Sequence, residues 1–265
     1  MQTVLKYPGS KWKIADWIIG HFPNHHTYLE PYFGSGAVLF KKAPSAIETI
    51  NDLDGIVINL FKVIRERPEE LARLIAGTPF SRYEYDSTFE QPMPENPLLK
   101  ARHFLIQCWQ GHGFRTNGYK VGWKNDVQGR EKAYALLNWY RLPQWILNAA
   151  DRLRKVQIEN SPAVEVIKRH RYPNVLIYAD PPYLLRTRTS KQYRYEMTDD
   201  DHIELLEALL DHPGPVILSG YDNDLYNDML KGWAKESTNA QAEHGSPRTE
   251  TIWMNYEPIQ QIKLF

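Results

Sequence analysis

The residues best equipped for chemistry in this chain are Asp180-Pro181-Pro182-Tyr183, which close the apolar run at residues 174–179. A β-branched-rich run that stops at an acid and two prolines reads as a buried strand delivering rigid residues to the carboxyl edge of a sheet. That edge is where open α/β sheets bind ligands. The prolines fix φ and remove two backbone donors, so the Asp180 carboxylate and the neighbouring carbonyls form a row of acceptors beside an aromatic face. Such a row suits a planar base carrying an exocyclic amino group.

Three further groups have the right residue types. Glu30-Pro31-Tyr32-Phe33-Gly34-Ser35-Gly36 combines an acid with two glycines that let backbone approach a ligand closely, ahead of a helix. It lacks the third spaced glycine of the dinucleotide fingerprint, so by itself it also reads as a tight strand-to-helix turn. Asp52 stands about twenty residues after Glu30, where an acid commonly accepts from ribose hydroxyls; equally, Asn51, Asp52 and Asp54 all suit a helix start. Lys6-Tyr7-Pro8-Gly9-Ser10-Lys11 is not a phosphate-binding Walker loop, whose lysine directly follows its second glycine, and taken alone it is an N-terminal arm and helix cap. Without a phosphate loop, Asp180 as a metal-holding acid of the Walker type is a poor reading. His21, His25 and His26 cluster, but no cysteine or H-x-E accompanies them, so no metal is expected. There is no G-x-S-x-G, which removes the common hydrolase reading.

These groups need a scaffold. Strands are expected at residues 27–30 and 46–50, each leading into a helix, the second carrying Ile56, Val57, Leu60, Phe61 and Ile64 at helical spacing. That rhythm lapses at residues 78–154 and resumes with a strand at 156–159. A helix follows, with Ser161 as cap and Pro162 in its first turn. After the strand ending at Ala179 comes a long polar loop, 184–197, and then a helix capped by Thr198 with Asp201 three residues on. A strand at 215–219 and an antiparallel hairpin within 235–256 complete the pattern, which is that of a parallel α/β fold with an insert.

Composition sets the partners. The 265 residues carry no net formal charge, 42% are hydrophobic, and no apolar stretch reaches the roughly 20 residues of a membrane helix. The start lacks a basic region followed by an apolar core, so a cytoplasmic protein is expected. The lone Cys108 excludes an internal disulfide, and its apolar neighbours mark a buried thiol. Charge is unevenly spread: residues 100–155 hold eleven Lys and Arg (Lys100, Arg102, Arg115, Lys120, Lys124, Arg130, Lys132, Arg141, Arg152, Arg154, Lys155) against three acids. Basic side chains interleaved with Trp109, Phe114, Tyr119 and Trp123 suit phosphates and bases, although some of these aromatics must form a small core.

Together, the segments at 6–11, 29–36, 51–52 and 180–183, with Leu218-Ser219-Gly220-Tyr221 and Arg248-Thr249-Glu250-Thr251-Ile252-Trp253, resemble the Dam-like family of DNA adenine N6-methyltransferases. The resemblance implies a Rossmann-like, S-adenosylmethionine-dependent methyltransferase fold: a seven-stranded mixed sheet formed by residues 1–77 and 155–265, with a mainly helical target-recognition insert at 78–154. It implies S-adenosyl-L-methionine as cofactor, touched by Tyr7, Gly9, Lys11, Glu30, Phe33, Gly34, Gly36, Asp52 and Asp180. Asp180, Pro181, Pro182 and Tyr183 would be catalytic, with Tyr183 stacking on a flipped adenine and transfer running directly in line. Double-stranded DNA would meet Arg115, Lys120 and Lys124 of the insert and Arg186, Arg188, Lys191 and Arg194 of the loop after the catalytic motif. A cognate restriction endonuclease, acting separately, is a possible companion in this family. The alternatives are an N4-cytosine methyltransferase, where Ser is more usual than Asp at the first motif position, and a catalytically silent DNA-binding module.

Overall fold

The structure is a computed structural model and describes residues 2–125, 134–188, 190–241 and 247–258. After a short helix α1 (Ala15–Gly20), the chain runs β1 (Thr27–Glu30), α2 (Ala37–Lys41), β2 (Ile47–Asn51), α3 (Gly55–Glu66) and α4 (Pro68–Ala76). The segment between the two halves supplies α5 (Arg82–Glu90), α6 (Pro97–Gln110) and α7 (Tyr134–Leu153). The α/β pattern returns as β3 (Val156–Glu159), α8 (Ala163–Arg169), β4 (Val175–Ala179), α9 (Asp199–Leu210), β5 (Val216–Gly220), α10 (Asp224–Met229), β6 (Ala234–Gln241) and β7 (Pro247–Met254).

The strands form one seven-stranded sheet in the order β3-β2-β1-β4-β5-β7-β6. The first five are parallel, and β7 runs antiparallel to both β5 and β6, so the expected closing hairpin is present. Every residue of β1, β4 and β5 is buried, as the unbroken apolar runs of β4 and β5 require of strands covered on both faces. Strand order reverses between β1 and β4, and the crevice beyond their carboxyl ends is the topological switch point of the sheet. Glu30 ends β1 there, and Asp180 follows β4.

Local sequence explains most element ends. Asp54 caps α3 by accepting from Ile56 N at 2.9 Å, and Thr198 and Asp201 form a complete capping box on α9. The expected Ser161 cap is replaced by a different contact. Helix α8 begins at Ala163 with Pro162 in the cap position and no side-chain cap. The buried Asn51 side chain engages Ser161 instead, accepting from its N–H at 3.0 Å and donating to its carbonyl at 3.0 Å and to that of Pro31 at 2.9 Å. Asn51 therefore ties the ends of β1 and β2 to the start of α8.

Helices α6 and α7 pack on α3 and α4. Phe104, Trp109, Trp139, Leu142 and Ile146 share one apolar cluster with Leu5, Phe61 and Tyr178. The Trp109 indole donates to Val4 O at 2.9 Å, and the Trp139 indole to Thr78 O at 2.9 Å. Cys108 lies inside the same core, where burial pushes its thiol well up, as the sequence implied. Between α6 and the start of the undescribed residues, Gly111 and Trp123 form an antiparallel bridge that throws out a loop bearing Arg115, Tyr119 and Lys120. Among the described residues, no helix is long and apolar enough to cross a membrane.

Candidate active site

A cavity of about 620 Å³ opens at the switch point, within the roughly 300–1,000 Å³ common for small-molecule sites. One end is built by the turn after β1. Phe33 N donates to Asn51 O and Gly36 N to Phe33 O, which curls the chain tightly into α2. Gly36 adopts φ 67°, and a Cβ there would strike the Phe33 ring at 2.3 Å, so glycine is required on both counts. A Cβ at Gly34 would lie 3.1 Å from the Tyr7 ring, which covers the turn from the N-terminal arm. Asp52 locks the turn from the next strand: Oδ2 accepts from Gly34 N at 2.8 Å and Oδ1 from Asp54 N at 2.8 Å. Burial raises the Asp52 carboxyl to about 6 against the pull of those two N–H groups, so it is ionised at neutral pH and retains accepting capacity.

The other end holds Asp180. Its Oδ1 pairs with Lys11 Nζ at 3.0 Å; Lys11 also donates to Gly9 O at 2.7 Å and lies 4.8 Å from the centre of the Tyr183 ring. Burial raises the Asp180 carboxyl and the Lys11 ammonium opposes that shift. Burial favours the neutral amine of Lys11, but the Asp180 carboxylate outweighs it and raises the Lys11 pKa, so its charge persists although the side chain is buried. Glu30 is buried beneath, taking the Tyr28 hydroxyl at 2.8 Å, and is pushed up to about 8, which makes it neutral at pH 7. Tyr183 packs edge-on to Tyr221 at 4.7 Å, and its hydroxyl donates to Glu250 Oε2 at 2.6 Å. Glu250, on β7, also lines the cavity.

Tyr7, Gly9, Lys11, Glu30, Phe33, Gly34, Asp52, Asp180, Pro181, Pro182 and Tyr183 thus meet in one cavity, and Gly36 stands just behind its wall. Two contacts add to the expected set. Glu250, within the 248–253 segment that shares in the resemblance, meets Tyr183 across 67 residues, and Glu196 organises the loop after Tyr183.

The expected DNA contacts divide. Lys120 is exposed and pairs with Asp86, Arg186 pairs with Asp199, and Arg194 approaches Asp54 at 3.4 Å. Arg115 lies over the Tyr119 ring, and Lys124 and Lys191 stand at the loop surfaces. Arg188 departs from expectation: its side chain is 7% exposed, pairs with Glu196 and donates to Tyr183 O at 2.7 Å. It is an internal brace, because a guanidinium with a half-buried carboxylate and a carbonyl to serve is held away from phosphate. Arg152 of the basic segment is likewise internal, paired with Glu48, while Arg130 and Lys132 lie outside the described residues. The His21–His26 group serves local contacts: His21 bonds Trp17 O and Glu236, and His25 bonds Pro23 O and Ser45. Among the described residues, no group of acids, histidines and cysteine could hold a metal.

A family model described as D12 class N6 adenine-specific DNA methyltransferase matches residues 7–243. The chain is 26% identical to the Retron Ec67 DNA adenine methylase of Escherichia coli over 286 residues, covering 99% of this chain and 96% of that protein. It is also 26% identical to the type II methyltransferase M.MjaIII of Methanocaldococcus jannaschii over 268 residues, covering 88% and 89%. Among solved structures, a SAM dependent methyltransferase from Agrobacterium tumefaciens aligns with 94% of this chain and 61% of its own, at 11% identity and a TM-score of 0.39.

Proposed function

The chain belongs to the D12 class N6 adenine-specific DNA methyltransferases, and from that premise we propose how its residues divide the work. The enzyme uses S-adenosylmethionine to methylate adenine in DNA. The cavity fits this cofactor: an ionised acid at one end, aromatic walls between, and the Asp180 and Glu250 carboxylates at the other end, which suit a cation. Asp52 accepts the ribose hydroxyls, while Tyr7, Gly9, Phe33, Gly34 and Gly36 shape the surface on which the nucleoside lies. When bound, the cofactor supplies an electrophilic methyl group on a sulfonium.

The N6 nitrogen of adenine is a poor nucleophile because its lone pair is delocalised into the ring. Asp180 and the Pro181 carbonyl, each accepting one N6 hydrogen, favour a pyramidal nitrogen and support the positive charge that grows on it. Lys11 fixes the Asp180 carboxylate and opposes the rise that burial imposes on it. Pro181 and Pro182 hold the acceptor row rigid, and Tyr183 gives the base an aromatic wall. Alignment is then a large part of catalysis, since well-oriented reactants recover roughly 7 to 11 kcal/mol of barrier. An adenine inside a duplex cannot reach this crevice, so the base is flipped out at a cost of a few kcal/mol. The insert at 78–154 reads the target through its 111–125 loop, with Arg115, Lys120 and Lys124 on phosphates. Arg186, Lys191 and Arg194 bind phosphates beside the flipped base, and any cognate restriction endonuclease acts as a separate protein.

The observation that carries this reading is the convergence, at one switch point, of the Lys11–Asp180 pair with the Gly34 turn locked by Asp52. Incubation with unmodified genomic DNA and S-adenosylmethionine, followed by base-resolution mapping, should place N6-methyladenine in one recurrent motif. Asp180→Ala should lower turnover by at least about 10²–10³, the scale for losing an aligned electrostatic partner, and leave DNA affinity in place. Full turnover by that variant would overturn the assignment of Asp180.

A further inference from the structure

The charges around Asp180 do not balance, and the imbalance falls on one residue. Lys11 is 3.0 Å from Asp180 and is held there by Gly9 O at 2.7 Å, so these two charges cancel locally. Glu30, buried against the Tyr28 hydroxyl, is neutral at pH 7. Among the described residues, the hydrogen-bond partner of Glu250 is the hydroxyl of Tyr183, which is neutral and cannot offset a carboxylate. Glu250 acts on Lys11 as well, but that cation is already engaged by Asp180, and the other cavity-lining cations, Arg188 and Arg194, face Glu196 and Asp54. Among the described residues, Glu250 therefore leaves the catalytic end of the cavity with one uncompensated negative charge.

The reaction converts a cationic sulfonium donor into a neutral thioether product. A fixed negative charge at that end attracts the first and is indifferent to the second. We propose that Glu250 is the residue by which this chain prefers S-adenosylmethionine over S-adenosylhomocysteine, acting as a charge held in place by the Tyr183 hydroxyl. The preference favours release of product, and the same charge supports the cationic amine formed on adenine. This inference rests on the cofactor lying in this cavity.

Calorimetric titration of each ligand separates the possibilities. Glu250→Gln keeps an oxygen to accept from Tyr183 and removes the charge. Affinity for S-adenosylmethionine should fall by at least about tenfold, the order expected for one unit charge acting over roughly 12 Å at an effective dielectric of about 20. Affinity for S-adenosylhomocysteine should stay unchanged. Glu250→Asp, which restores the charge, should restore the preference. Tyr183→Phe, which removes the hydroxyl and leaves the charge, should also keep it, and these two variants test the idea even if Glu250→Gln does not fold. An equal change for both ligands in Glu250→Gln, or loss of the preference in Glu250→Asp or Tyr183→Phe, overturns the proposal. Failure of the unaltered protein to bind either ligand would instead remove the placement of the cofactor.

Discussion

At the scale of single residues, Asp52 makes the pH behaviour of the site calculable. Its carboxyl is raised to about 6 by burial, and each oxygen already accepts one backbone N–H, so the ionised form has two lone pairs to spare for the two ribose hydroxyls and the protonated form only one. The Asp52 contribution to S-adenosylmethionine affinity should therefore be nearly constant from pH 8 to 7 and fall below pH 6, by up to about tenfold per unit, because one proton is taken up as the ligand leaves. The sign for stability is opposite. A folded-state value raised above the unfolded one means that the free protein gains stability from Asp52 as pH falls through about 6 towards 4. Loss of binding in that window thus arises from the site and not from unfolding, and calorimetry beside thermal melts at each pH distinguishes the two. In Asp52→Asn the affinity should be low throughout and the step near pH 6 should vanish.

At the scale of elements, the loop after Tyr183 is a strap organised by one half-buried carboxylate. Glu196 accepts from Gln192 N at 2.7 Å and Tyr193 N at 3.0 Å and pairs with Arg188, which in turn holds Tyr183 O. The strap is fastened at two places: Tyr193 to Pro8 O at 3.1 Å, and Gln192 O and Arg194 N to Thr116 at 2.9 and 2.7 Å. It therefore connects the N-terminal arm, the catalytic motif and the 111–125 loop. Glu196→Ala removes the acceptor for three groups at once; it should raise KM for DNA, lower kcat, and make the peptide bonds near residue 190 sensitive to brief proteolysis. Unchanged kinetics with unchanged proteolysis would refute the strap. None of this was visible in the sequence, where the segment reads as a polar, basic loop and Arg188 as one more phosphate ligand. Local signals were reliable where one stretch determines its own structure: the apolar runs of β4 and β5, the Gly34–Gly36 turn, and the Thr198 capping box. They failed where a partner lies far along the chain, as with Asn51 on Ser161 or Glu250 on Tyr183, because no local spacing encodes a contact made by folding.

At the scale of the whole molecule, the fold decides how much of the basic charge is available to DNA. The sequence places eleven Lys and Arg in residues 100–155 and four more in the loop after Tyr183. Folding consumes several of them: Arg102 binds Glu84 at 2.5 Å and Thr78, Arg152 pairs with the buried Glu48, and Arg188 pairs with Glu196. Those that remain among the expected contacts are Arg115, Lys120, Lys124, Arg186, Lys191 and Arg194. They stand on the 111–125 loop and the strap, which Thr116 binds together. Each phosphate neutralised contributes about −0.9 to the slope of log affinity against log salt, so six contacts limit the slope to about −5. A slope near −10 would mean that internal arginines come out to meet DNA. A slope near zero would remove the basic face altogether. Cofactor affinity, set by buried groups, should scarcely respond to the same salt series, because screening acts mainly on exposed charges. Replacing Lys120 or Lys191 by Ala should lower the slope by about 1 and weaken all sequences alike. Thr116→Ala should act differently, lowering turnover without changing the slope, since it removes the Thr116 hydroxyl that accepts from Arg194 N in the strap, and no charge.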